Sequence, residues 1–346
     1  MSANKRIEYI SLASVISAIA VVFLHVNDCF WSFSKAPYWF SANVIESLFF
    51  FAVPVFFMIS GALLIDFSDK YDLKTYFSKR INKTVLPFVI WSFIGVLFKL
   101  LYLHTLKWGA VTPAYLINGL VNGNLVGVYW FFIPLFCAYL AIPLFSFVSA
   151  EKKKMIFIYL ASLAFVLNIL IPFVISVFDL KINYSISLAV ARGYLFFTIT
   201  GYLLHKYELE RKYRLILYIL AIVGLLMQMI GTYQLSIAAE KIVSTYKGYT
   251  NLPAVLYSMG VFVFIKYDLV KIMKFDIVSK AVNFLNPYTF GVYLIHWFVL
   301  SVLIKIFNIN IKLLSYRLIG PIVIFVISIV VIWLIRKVPG VTKIVP

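Results

Sequence analysis

Charge is scarce in this chain: Asp, Glu, Lys and Arg make up 13% of 346 residues, where a soluble globular domain carries about 25%. That scarcity excludes a water-facing fold of this length. Cysteine is scarcer still. Cys29 and Cys137 lie far apart with no ligand spacing, which excludes a disulfide framework and a cysteine-based metal centre. No G-x-S-x-G turn is present, so the serine elbow of acyl-enzymes is missing, and no His/Cys spacing suits zinc. There is no internal repeat, low-complexity tract or soluble appendage. Pro54 and Pro287 both interrupt apolar runs, but their surroundings differ, against the matched broken helices of a transporter with inverted halves.

What is abundant is apolar: 63% of residues, with a mean hydropathy of +0.99. The chain reads as a polytopic membrane protein, all-α, with residues 1–346 as one membrane domain of about ten helices. Apolar stretches fall at 8–26, 44–65, 85–103, 125–149, 155–178, 188–205, 213–235, 252–266, 283–306 and 317–335. Helices are expected because backbone groups in lipid must be satisfied within their own segment. The runs are too long and too evenly apolar for barrel strands. Lys5 and Arg6 precede the first run, but no small-residue cleavage site follows it, so it reads as a retained span.

Basic residues outnumber acidic ones 31 to 13, for a net charge of +18. Placing both termini in the cytoplasm puts 21 of the 31 on the inner side, as the positive-inside rule requires. Membrane lipid, not nucleic acid, is therefore the expected partner of this charge. Residues 70–83 and 266–280 mix apolar and basic side chains at near-helical spacing. They read either as topological anchors or as amphipathic helices in the interface. Arg80 and Lys83 adjoin the start of the third span, where they suit a phosphorylated donor.

Ionisable groups at membrane depth are costly, so each is a candidate for function. His25 lies about 17 residues above the inner start of its span, near the outer leaflet. An imidazole there is a candidate general base. Asp28 follows three positions later and either orients that imidazole or begins a wet loop. Arg192, at the outer start of the sixth run, reads either as a clamp for phosphate or oxyanion or as a snorkelling helix end. Glu46, Tyr129 and Trp130 lie at similar depth as candidate substrate contacts, the aromatics also fitting a membrane belt. His296 lies deeper, about 13 residues into the ninth run, either structural or charge-stabilising. An acyl transfer needs a base for an acceptor hydroxyl and a donor for the developing oxyanion, and these residues supply that chemistry without a metal.

Four stretches carry a resemblance. Val53-Pro54-Val55-Phe56-Phe57-Met58-Ile59-Ser60-Gly61-Ala62-Leu63-Leu64, the basic loop Phe77 to Pro87, Tyr129-Trp130-Phe131-Phe132 with Tyr139 and Pro143, and Phe290-Gly291-Val292-Tyr293-Leu294-Ile295-His296 stand in a specific order. In that order they resemble the bacterial acyltransferase-3 family of membrane O-acyltransferases, and among them the O-acetyltransferases of surface polysaccharides. The resemblance implies ten spans in a bacterial plasma membrane and acetyl-CoA bound from the cytoplasm. It further implies acylation of a hydroxyl on a surface glycan or a lipid-linked sugar at the outer face. It also departs from the family: the basic residue expected eleven positions before the first-span histidine is Ser14 here, and Val128-Tyr129 stands where a histidine often precedes the fourth-span Trp-Phe. Arg80, Lys83 and Arg192 are the candidates to replace it. The alternative functions are a glycan flippase and a non-catalytic subunit of a polysaccharide synthesis complex, and a homo-oligomer stays open.

Overall fold

The computed structural model describes residues 3–338, 340, 341, 344 and 345, with side chains from Glu8 onward. All regular structure among them is helical. Besides a short helix at Pro113–Val121, ten longer helices follow one another among the described residues: α1 (Ala3–Val26), α2 (Pro37–Asp69), α3 (Leu73–Leu103), α4 (Gly127–Ser146), α5 (Ala150–Val177), α6 (Tyr194–Lys206), α7 (Arg211–Ala239), α8 (Leu252–Tyr267), α9 (Asp276–Phe307) and α10 (Leu314–Ile335). Eight helices are long and apolar enough to cross a membrane, α1 being counted from Glu8. The other two, α6 and α8, have 13 and 16 residues.

Each apolar run of the sequence falls on a helix, with three informative differences. Helix α2 starts at Pro37, well before residue 44, because Pro37 is the first helical residue, where its missing N–H costs nothing. It breaks between Phe49 and Ala52. Pro54 explains the break, since it cannot donate to the carbonyl of Phe50 four residues earlier. Helix α6 starts late, at Tyr194, because Gly193 takes φ +62° and turns the chain there. Of the two mixed apolar and basic segments, 73–80 is helical and runs through a π-turn, Ile81–Val85, into the rest of α3. Its first turn is capped by Asp72, whose carboxylate accepts from the Thr75 N–H at 2.9 Å. The second segment turns through a 3-10 stretch, Leu269–Lys274, before the first part of α9, Asp276–Leu285. That part leaves Ile277 and Phe284 exposed beside Lys280.

Helix α1 is the axis of the bundle. Inside the protein, 78% of its apolar window is buried, against 17% for α5 and 22% for α7. Those two outer helices turn Ile158, Val166, Ile219 and Ile222 outward, as lipid-facing helices do. The tightest pairs meet at glycines, which let backbones approach. A Cβ on Gly201 of α6 would sit 2.3 Å from the Met58 backbone of α2, and one on Gly61 would sit 1.8 Å from the Thr198 carbonyl oxygen. At one end of the bundle Asp66 accepts from Lys153 at 2.9 Å and Lys206 at 2.6 Å, tying α2 to α5 and α6.

Candidate functional site

His25 sits near the end of α1 opposite the helix N-terminus, half-buried, on the wall of a cavity of about 640 Å³. The same cavity is walled by Asp28, Trp31, Glu46, Trp130, Tyr249 and Trp297. Trp130 stacks on Tyr249 with ring centroids 5.6 Å apart, and Tyr249 stacks on Phe50 at 4.1 Å. The wall therefore combines rigid aromatic faces with two carboxylates and, among the described residues, contains no Lys or Arg.

Behind His25 lies His296 of α9, fully buried, with ring centroids 5.1 Å apart and planes 31° apart. The His296 Nδ1 donates to the carbonyls of Tyr293 at 2.8 Å and Val292 at 3.1 Å. Carbonyls only accept, so the proton is on Nδ1 and Nε2 keeps a lone pair. That Nε2 is buried without a partner. The ring is thus a fixed acceptor beside His25. Neither nitrogen of His25 has a hydrogen bond within the described protein, which leaves the imidazole open to the cavity.

A second cavity of about 370 Å³ opens further along the bundle, toward the α1 N-terminus. Ser14, Ser60, Lys83, Thr84, Tyr139 and Tyr293 line it. Ser14 lies eleven residues below His25, about three helical turns on nearly the same face, so one helix joins the two cavities. A layer of rings divides them. Tyr293 and Phe131, 5.4 Å apart, face the second cavity, and Tyr293 lies 5.8 Å from His296. Crossed hydrogen bonds hold this layer: Tyr293 Oη donates to the Val128 carbonyl at 2.5 Å, and Tyr129 Oη to the Leu294 carbonyl at 2.6 Å.

The remaining expected residues divide. Asp28 faces the cavity but makes no hydrogen bond to His25, because the chain leaves helical geometry at Asn27 and turns it away from the α1 stripe. Partial burial pushes its carboxyl up from the usual range. Glu46 is buried and accepts from Asn27 Nδ2 at 3.1 Å. Tyr129 does not line the cavity; it is fully buried and its hydroxyl is spent on Leu294, which corrects the expectation of a substrate contact. Arg192 is also corrected. It is exposed, in extended backbone ahead of Gly193, and lines neither cavity, because the helix that was to carry it begins two residues later. Lys83 reaches the second cavity from the π-turn of α3, while Arg80 lies over the Tyr139 ring at 5.5 Å and does not line that cavity.

Two buried cations beside the first cavity escaped sequence reading. Arg317 of α10 and Lys247, between α7 and α8, are both within 2% of full burial. Desolvation pulls the Lys247 ammonium down, and the Glu46 carboxylate opposes that pull. Arg317 stands at the start of an apolar run, the pattern that drew attention to Arg192. Lys247 lies in a polar segment with no pattern around it.

A family model described as an acyltransferase domain matches residues 7–337. No curated protein and no solved structure matches the chain.

Proposed function

The chain belongs to the acyltransferase-3 family, and from its two cavities we propose an integral membrane O-acetyltransferase that draws acetyl from acetyl-CoA and places it on a sugar hydroxyl. The observation that carries this reading is the histidine pair between an aromatic, acidic cavity and a cavity bordered by Lys83. In this reading the bundle spans a bacterial plasma membrane ten times with both termini inside, and α6 and α8 cross as short, protein-packed helices. The first cavity then faces outward and the second faces the cytoplasm.

The chemistry follows from the sides. Tryptophan faces and carboxylates suit a sugar ring, which stacks its C–H face and donates hydroxyl protons. A surface glycan or lipid-linked sugar in the outer cavity presents its hydroxyl to the open nitrogen of His25. His25 takes the proton as the hydroxyl oxygen attacks the acetyl carbonyl, the thioester C–S bond breaks, and the coenzyme thiolate recovers a proton. The His296 ring packed behind His25 backs the imidazole on the side away from the sugar. This differs from a charge-stabilising donor, because the His296 proton is committed to the backbone. Lys83 holds coenzyme phosphate where the missing basic side chain at Ser14 leaves a polar but uncharged wall.

Reconstitution in sealed vesicles tests the reading. With acetyl-CoA labelled in the acetyl group on the Lys83 side, label is expected to reach glycan on the other face. Glycan movement without consumption of acetyl-CoA supports a flippase and sinks the enzyme. Lys83→Ala is expected to raise KM for acetyl-CoA about tenfold, equivalent to ~1.4 kcal/mol of binding, with kcat nearly unchanged. An unchanged KM removes Lys83 from the donor site.

A further inference from the structure

Burying a cation away from water costs several kcal/mol unless it is paired and hydrogen-bonded. This bundle buries two beside the outer cavity, and neither Arg317 nor Lys247 lines it or has a carboxylate within 4.0 Å among the described residues. The hydrogen bonds of Arg317 lead to Glu46, and those of Lys247 end on the residues beside Glu46 on α2. Arg317 Nη1 donates to Asn27 Oδ1 at 3.3 Å, and Nη2 donates to Ser41 Oγ at 2.7 Å and to the Lys312 carbonyl at 3.3 Å. A guanidinium only donates, so it fixes which end of the Asn27 amide faces it. The other end, Nδ2, then donates to Glu46 Oε2 at 3.1 Å and to the Ala42 carbonyl at 2.8 Å.

Lys247 makes no hydrogen bond to Glu46 and is held instead by that residue's neighbours on α2. Its Nζ donates to Ser47 Oγ at 2.5 Å and Asn43 Oδ1 at 3.1 Å. Asn43 donates its own Nδ2 to the Met229 carbonyl at 2.7 Å, so its oxygen faces the ammonium. Asn43, Glu46 and Ser47 share one face of α2 at helical spacing. One cation is thus tied through Asn27 to the one carboxylate of α2 that reaches the cavity, and the other is locked onto Asn43 and Ser47 on the same helix face.

We propose that Arg317 and Lys247 are positioning residues that hold the Glu46 carboxylate aimed into the outer cavity to receive the acceptor's hydroxyl. The proposal rests on the reading of that cavity as the acceptor site. Glu46 binds and orients the sugar; the two cations act through it and touch no substrate.

The test follows the Glu46 carboxylate stretch in the purified full-length protein, isolated as the infrared difference between wild type and Glu46→Gln. Arg317→Lys keeps charge but loses the fork to Asn27, and Lys247→Met keeps length but loses charge. Both are expected to move the Glu46 band, whereas Gln228→Leu, a buried polar change on α7 outside the cavity, leaves it in place. In the transfer assay both raise KM for the acceptor about tenfold and leave KM for acetyl-CoA unchanged, a split that general unfolding does not produce. A band unmoved in whichever variant folds overturns the assignment. So does an acceptor KM that stays at the wild-type value. A moved band in a protein whose wild type transfers no acetyl sinks the acetyltransferase reading alone and leaves the positioning of Glu46 standing.

Discussion

His25→Ala is expected to cut the rate of acetyl transfer by about 10²–10⁴-fold, the usual worth of a positioned base. KM for acetyl-CoA should stay at its wild-type value, because His25 borders the first cavity and the proposed donor contacts belong to the second. The fold should survive as well. His25 makes no hydrogen bond to the described protein, and it is half-buried at the rim of open space. His296→Leu is expected to act in the same direction by about tenfold, since it removes the ring packed behind the base and leaves the base itself. Labelled transfer in vesicles, with thermal unfolding in detergent as control, measures both. Wild-type turnover in folded His25→Ala rules out the base.

Gly201→Val should prevent the bundle from assembling. The added Cβ meets Met58 Cα and its carbonyl oxygen, both 2.3 Å away, and neither is a flexible side-chain end. Helices α2 and α6 must separate to admit it, and Gly61 sets the same limit from the facing helix, 1.8 Å from Thr198 O. Overpacking that displaces side chains already costs about 1–3 kcal/mol, and backbone has less room to yield. Gly109, with open space around it, gives the matched control: Gly109→Ala should change stability by less than about 0.5 kcal/mol. Yield of folded protein and its detergent melting curve are the measurements. A Gly201→Val protein that melts with wild type refutes the close approach.

Much of the helical frame was legible because lipid imposes one strong rule, long apolar runs, and every such run became a helix. That His25, Glu46 and Trp130 come to one level of the bundle was legible for the same reason, since rise per residue converts position into height. Rotation about the helix axis was not. Tyr129 and Trp130 are neighbours at one depth, yet one is sealed against Leu294 and the other faces the cavity. Arg192 was misplaced by a single positive φ at Gly193, which no hydropathy pattern reports. Lys247 was invisible because its burial is created by long-range packing of a polar segment onto α2, 200 residues away from Ser47.

The crossed tyrosine bonds between α4 and α9 bear on how such a protein coexists with an energised membrane. Each hydroxyl grips main chain of the opposite helix, so the aromatic partition cannot swing aside without giving up both ties. A tunnel through a bundle this basic invites ion leak and loss of membrane voltage. A bulkhead laced to backbone keeps water columns on its two sides apart, and in the proposed reaction only a group as small as two carbons has to find its way past.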